Sequence, residues 1–387
     1  MKYNFDEPTT RRNTNSYKWD SGSADDVIPL WVADMDFKTA PPIIETLRNR
    51  VEQGIFGYTF VPEEYYSNCI RWFSRRHGLD FLASDVIYTS GVVPAISAII
   101  KALTKPGDKV IIQTPVYNCF FSSIRNNECI ASENPLILKD NTYYIDFDDL
   151  EKKASESEAK ILLLCNPHNP AGRVWRTGEL EKIGEICRRN NVVVVSDEIH
   201  CELVYPPYKY VPFASVHDFI NDSVTCVSPS KAFNIAGLQI ANIICRDESM
   251  RKKIDKAINI NEVCDVNPFG VLATIAAYSK GEEWLKELIL YLKDNYDFLV
   301  DIFRRELPGL KVLKLEGTYL AWVDCRCLGI PSEELEEKLL KEGRVWLNAG
   351  EMYGKDGEGF MRINLATQRA RLEEGLKRVT KVLKPLL

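Results

Sequence analysis

The chain has 387 residues, 45% hydrophobic and 27% charged, with a formal net charge of −6. That length predicts two structural units with at least one large core, and the acidic balance argues against a nucleic-acid partner. No basic cluster exceeds Arg251-Lys252-Lys253, the opening residues have no apolar core, and no apolar run nears the roughly 20 residues of a membrane helix. The 11 cysteines are scattered through apolar segments without metal or redox spacing, Cys325 and Cys327 forming only a C-x-C. A cytoplasmic protein with reduced thiols, no metal and no membrane contact is expected.

In chain order, "DVIYTSG" (85–91) reads as a strand running into a helix, "VVPAISAIIKAL", stopped by Pro106-Gly107. "KVIIQTP" (109–115) is the next strand. "KILLLCNP" (160–167) and "VVVVSDEI" (192–199) are apolar throughout, as strands buried on both faces should be. "SVTCVSPS" (223–230) and "ANIICR" (241–246) follow. Alternation with amphipathic stretches predicts βαβ units and a mainly parallel sheet. After about residue 283 come a long amphipathic helix, a hairpin in "KVLKLEGTYLAWVDC", a helix in "SEELEEKLLKEG", a strand in "EGFMRINLAT" and a last helix. The first 45 residues are expected to pack with this α+β part.

Ligands of an open parallel sheet bind at the carboxyl ends of its strands, so the polar residues there are the candidates. Gly91-Val92-Val93 opens a helix, where free amides and the helix dipole favour a phosphate. Tyr117 offers a plate for a flat ligand; taken alone, it reads more readily as an aromatic packing a loop onto the core. Asn166-Pro167 and Asn169-Pro170 before Gly172 force a turn that aims an asparagine into the cleft. Asp197, after four valines, needs a cation or donor to offset desolvation. Lys231 in "VSPSKAFNIAG" stands apart from the charged, solvated segments that hold most of the lysines. An amine, a carboxylate, an aromatic plate, an asparagine and a phosphate seat are the parts that hold pyridoxal phosphate. The lysine makes the Schiff base, and the carboxylate keeps the pyridine nitrogen protonated.

The motifs "CNPHNPAGRVW", "SDEIH", "SPSKAFNIAGL" and "GFMRINLAT", in this order, resemble the fold-type I pyridoxal-phosphate enzymes of the class I/II aminotransferase group over nearly the whole chain. The resemblance implies an α/β fold: a large domain (46–282) with a mainly parallel seven-stranded sheet, and a small α+β domain from 1–45 and 283–387. It implies that Lys231 carries the cofactor, Asp197 faces the ring nitrogen, Asn169 meets the ring hydroxyl and Tyr117 stacks on the ring. Gly91, Val92, Val93, Ser228 and Ser230 would lie near the phosphate, with His200 beside the cofactor. Arg362 would hold the substrate α-carboxylate, with Ala33 and residue 347, at the asparagine of "LNAG", also at the substrate. Tyr58 in "FGYTF" would reach the phosphate of a partner subunit, making a homodimer with shared sites.

Two positions depart from the general aminotransferase pattern: Gln239 replaces an arginine eight residues after the lysine, and His200 replaces a tyrosine three after the aspartate. At both, and in "TNSYKWD", "PLWVADMDF" and "LNAGEMYG", the chain is similar to the C–S lyase branch typified by cystathionine β-lyases of the MalY/PatB type. The expectation is a β-lyase releasing thiol, pyruvate and ammonia from cystathionine, cysteine or a related thioether. Lys231 would be the base, and Lys231 or Tyr117 the proton donor. An aminotransferase is the alternative within enzymes. A ligand-binding or regulatory protein on the same fold is the alternative outside them.

Overall fold

A computed structural model describes residues 2–22, 24–260, 262 and 266–387. Seven strands form its main sheet: β1 (Val86–Thr89), β2 (Lys109–Ile112), β3 (Ile130–Glu133), β4 (Ala159–Cys165), β5 (Val193–Asp197), β6 (Ser223–Val227) and β7 (Ala241–Ile244). Their spatial order is β1-β7-β6-β5-β4-β2-β3. β7 runs antiparallel to both neighbours, and the other pairings are parallel. The expected mainly parallel seven-stranded sheet is therefore present, although β3 was not among the strands read from the sequence.

The apolar runs fill both faces of this sheet. Ile111, Leu162, Leu164 and Val194 belong to one buried cluster, while Val110, Ile112, Ile161, Leu163 and Val195 belong to another. Alternate side chains of each strand point to opposite faces, so a strand buried twice must be apolar at every position. In the register, Asp197 pairs with Cys165 on one side and Cys226 on the other, which sets its carboxylate at the end of the middle strand.

Helix α1 (Val92–Leu103) covers one face. Val92, Ala95, Ile96, Ile99 and Ile100 are buried, a spacing that puts them on one side of a helix. Burying these side chains contributes on the order of 10 kcal/mol gross before chain entropy is counted. The helix ends at Leu103, three residues before the proline that was expected to stop it.

A second, antiparallel sheet contains β8 (Lys311–Val312), β9 (Leu320–Asp324), β10 (Asn348–Ala349) and β11 (Phe360–Asn364), in the order β8-β9-β11-β10. The expected hairpin is the β8–β9 pair. Helix α2 (Glu282–Glu306) and helix α3 (Arg369–Leu383) pack against this part. The N-terminal stretch joins it: Ile28 and Pro29 pair with Val345 and Trp346, and Leu30 shares a buried cluster with Leu372 and Leu376. Asn364 Nδ2 donates to the carbonyls of Val32 and Asp34, at 2.5 and 2.7 Å. Beneath this stretch Lys18 is fully buried against Asp36, with Nζ 3.1 Å from Oδ2. No helix among the described residues is long and apolar enough to cross a membrane.

Candidate active site

A cavity of about 440 Å³ opens where the main sheet ends and the second sheet begins. From the main sheet it is lined by Gly91, Val92 and Val93 after β1, Tyr117 after β2, Asn169 after β4 and Asp197 at the tip of β5. His200, Ser230 and Lys231 complete that wall. Ala33 comes from the N-terminal stretch, and Arg362 from the middle of β11. A larger hollow of about 630 Å³, along Tyr66, Tyr88, Lys101 and Asp255, has no such convergence of amine, carboxylate and guanidinium.

Local sequence explains the placement. β4 ends into "NPHNPAG", where Gly172 adopts φ +66° and donates its N–H to His168 O at 2.8 Å, closing the turn that presents Asn169. Val92 and Val93 begin α1, where the first amides have no acceptor within their own helix.

Burial pushes the Asp197 carboxyl up to about 7, with Glu198 adding to the effect and the Ile199 N–H at 3.1 Å and Lys231 opposing it. Burial pushes the Lys231 amine down to about 8, helped by Arg362 and opposed by Asp34 and Asp197. Burial and the two nearby cations pull His200 down to about 3, so its ring is neutral near pH 7. The Tyr117 hydroxyl is raised well above its ordinary value, first by burial, and keeps its proton.

Arg362 is fixed on three sides. Nη1 donates to Asn169 Oδ1 at 3.2 Å, Nη2 donates to Trp31 O at 2.8 Å, and the guanidinium lies 4.9 Å from the centre of the Tyr353 ring. Its Nε, like His200 Nδ1, is buried without a hydrogen-bond partner among the described residues. Lys231 Nζ donates to Ala33 O at 2.6 Å.

These observations test the fit to pyridoxal phosphate. A buried carboxylate with one backbone donor, an amine across the same cavity and an unpartnered His200 nitrogen match a group with a cationic ring nitrogen, an aldehyde carbon and polar substituents. The residues fit.

Two expected positions fall elsewhere, and a third, Tyr58, is expected at the site of a partner rather than in this cavity. Ser228 does not line the cavity; its hydroxyl donates to Ile240 O at 2.6 Å and accepts the Ser230 N–H at 3.1 Å, so it acts by shaping the turn. Tyr58 is 96% exposed on the surface of this protomer. Residue 347 is corrected: it is Leu347, packed in the core, and the asparagine of "LNAG" is its neighbour Asn348, which does line the cavity. Neighbours on a strand face opposite ways, so a shift of one residue exchanges core for cavity.

Sequence reasoning named no role for Tyr17, Trp31, Cys119, Met352 and Tyr353, which also line the cavity. Trp31 stacks on Trp346 at 4.2 Å and lies 5.3 Å from Tyr17. Their signal was present in "TNSYKWD", "PLWVADMDF" and "LNAGEMYG", which looked distinctive without showing what they touch.

A parallel-centred sheet with an amine, a carboxylate and an anchored guanidinium at its carboxyl edge defines the fold-type I pyridoxal-phosphate architecture. The chain belongs to the family Aminotransferase class I and II, whose model matches residues 25–379. It is similar to the cystathionine beta-lyase PatB of Bacillus subtilis (strain 168), 43% identical and covering 97% of this chain and 98% of that protein. Cystalysin of Treponema denticola, a structure that contains pyridoxal 5'-phosphate, superposes with a TM-score of 0.97 at 37% identity over the full length of both chains. A pyridoxal-phosphate-bound structure from Clostridium difficile 630, provisionally named an aminotransferase, gives 0.96 at 44% identity, covering 98% of this chain and 100% of that one.

Proposed function

We propose that this chain is a pyridoxal-phosphate-dependent C–S β-lyase, cleaving L-cystathionine or a related S-substituted cysteine to thiol, pyruvate and ammonia. The observation that carries the reading is the convergence of Lys231, Asp197 and Arg362 on one cavity. The likeness to PatB favours the lyase outcome over transamination.

Bound pyridoxal phosphate supplies a conjugated electron sink for the pair left on the substrate's Cα. In this reading Lys231 would be the attachment point, Asn169 would meet the ring hydroxyl, Tyr117 would stack on the ring, and Asp197 would offer its carboxylate to the ring nitrogen. Gly91, Val92, Val93 and Ser230 seat the phosphate, and Ser228 orients Ser230. Arg362, already oriented by Asn169 and Trp31, keeps donors for the substrate's α-carboxylate, with Ala33 and Asn348 alongside. Lys231, with its amine near 8, takes the proton from Cα and returns one to the departing sulfur; Tyr117 is the second donor within the cavity. Tyr17 and Trp31 line the same cavity, their rings 5.3 Å apart.

The same reading makes the active unit a cytoplasmic homodimer in which Tyr58 reaches the partner's site. Exposure of Ile55, Phe56, Tyr58 and Phe60 together supports this, because a patch of that kind on one protomer calls for cover. Residues 46–282 form the large domain, and 1–45 with 283–387 the small one. Pairing of Ile28 and Pro29 with Val345 and Trp346 supports joining the N-terminal stretch to the latter.

The deciding experiment follows pyruvate and free thiol from L-cystathionine with no keto acid added. Sustained, equal release of both is expected, with little stimulation by a keto acid. Activity that stops after about one turnover per site and resumes only with a keto acid makes the protein an aminotransferase.

A further inference from the structure

The Ala33 carbonyl accepts two hydrogen bonds, from Lys231 Nζ at 2.6 Å and from Tyr319 Oη at 2.9 Å. A carbonyl oxygen has two lone pairs, so both are in use. The oxygen is held by a tight turn: the Asp34 N–H donates to Val32 O at 2.9 Å around Ala33, and Asn364 Nδ2 donates to both Val32 O and Asp34 O, which fixes the backbone on either side of the Ala33 carbonyl. Tyr319 is equally constrained. It is fully buried just before β9, its own carbonyl accepts from Leu365 N at 2.8 Å, and its ring lies edge-on to His200 at 6.0 Å. Burial raises its hydroxyl above the ordinary value, so it serves only as a proton-bearing donor.

We propose that Tyr319 is a positioning residue for Lys231, acting through the Ala33 carbonyl that both share: it fixes that oxygen within reach of Nζ and, by filling one lone pair, keeps the oxygen a weak partner for an ammonium, so that the amine remains proton-accepting. The proposal rests on the reading of Lys231 as the group that moves the substrate's proton. A carbonyl already bonded to a hydroxyl has less charge to offer a second donor, and a charged donor gains most from a strong acceptor. The other groups facing the amine are Asp34 and Asp197, which favour its charged form, and Arg362, which disfavours it; the Cys119 thiol, His200 and the Tyr117 hydroxyl complete the surroundings. Tyr319 adds no charge to this set. Its effect is carried by one oxygen.

The test reads the amine directly, in cofactor-free protein. Lys231 is acetylated with a limiting isotope-labelled anhydride across a pH series, and its extent of labelling is followed by mass spectrometry of the peptide that contains it. In Tyr319→Phe the titration of Lys231 should move up by a few tenths of a pH unit, since the mutation strengthens the Lys231–Ala33 bond by only about 10–30% and does not add or remove it. The acid limb of kcat in the loaded enzyme should move the same way, with KM little changed. 3-Fluorotyrosine installed at position 319, a stronger donor of nearly the same shape, should move both downward, and it decides the matter if Tyr319→Phe does not fold. Unchanged Lys231 titration in folded protein of either kind overturns the proposal. Labelling needs neither substrate nor turnover, so that result leaves the lyase reading standing, while absence of pyruvate from cystathionine would sink the lyase reading and leave the titration as measured.

Discussion

Arg362 and Asn169 meet across the cavity, Nη1 to Oδ1 at 3.2 Å, although 193 residues separate them in the chain. One residue is assigned to the cofactor ring and the other to the substrate, so the contact couples the two binding tasks. Replacing Arg362 with lysine keeps the charge and loses the planar fork that reaches Asn169 and Trp31 together. Arg362→Lys is expected to raise KM for cystathionine by about 100-fold, as loss of a bidentate charged contact implies. Steady-state kinetics with the cofactor saturating checks this; an unchanged KM removes Arg362 from the carboxylate site.

Lys231→Ala should abolish pyruvate release and the adduct that borohydride fixes on the wild-type enzyme. Mass spectrometry of the reduced protein locates the adduct. Its appearance on another lysine would reassign the attachment point.

Asp197 makes a prediction about pH as well as rate. Its folded value, about 7, lies above the ordinary 3.8, so the unfolded chain ionises first as pH rises. Between about 4 and 7 the native state binds the extra proton, and stability contributed by this group is lost with rising pH. His200 acts oppositely, since its depressed value makes the native state gain stability as pH rises from about 3 towards 6.5. Comparing cofactor-free wild type with Asp197→Asn isolates the carboxylate. The mutant should gain on wild type as pH climbs from 4 to 8, by up to roughly 4 kcal/mol in urea melts. In the loaded enzyme the same mutation should slow exchange of the substrate's α-deuterium by orders of magnitude. A difference in stability that does not vary with pH contradicts the assignment.

Asp36 behaves as the reverse case. Burial alone would raise it, but Lys18, the Trp19 N–H, Arg371 and Arg11 hold it down at about 2. Its contribution to stability is present above its ordinary 3.8 and is lost as pH falls towards 2. Asp36→Asn leaves buried Lys18 with only the more distant Asp34, at 3.7 Å, and should cost about 3 kcal/mol at pH 7. Chemical denaturation measures this; a loss under about 1 kcal/mol would show that the pair is not held as described.

Tyr58→Phe should weaken cofactor retention on dialysis while leaving the dimer intact, since it removes a hydroxyl and keeps the ring. Sedimentation and absorbance together report both quantities. A fully active monomer would end the shared-site reading.

The parts of the fold that were legible in the sequence are those where one physical demand fixes residue type. β4 and β5 announce themselves because burial on two faces requires apolar residues throughout. β3 does not: "IASE" lies at the edge of the sheet, partly exposed, and pairs with β2 alone. Asp197 and Lys231 were legible because a charge in an apolar setting needs a reason. Trp31, Tyr353 and Met352 were not, because an aromatic or apolar side chain in a cavity looks the same in sequence as one in a core. Lys18 and Asp36 show another limit: each reads as an ordinary surface charge until the fold brings them within 3.1 Å.

The Asn364 amide that grips Val32 and Asp34 has a consequence for the order in which the molecule is made. The ribosome releases residues 31–36 early, and the side chain that aims Ala33 follows some 330 residues later. Until then the early segment has no clamp, and Lys231 has no fixed oxygen to meet. Contacts this distant in sequence form slowly, because the loop they close spans some 330 residues. A nascent polypeptide that has not yet reached Asn364 therefore carries the lysine and the carboxylate without the arrangement that makes them work together. Catalytic competence waits for Asn364 to take its place.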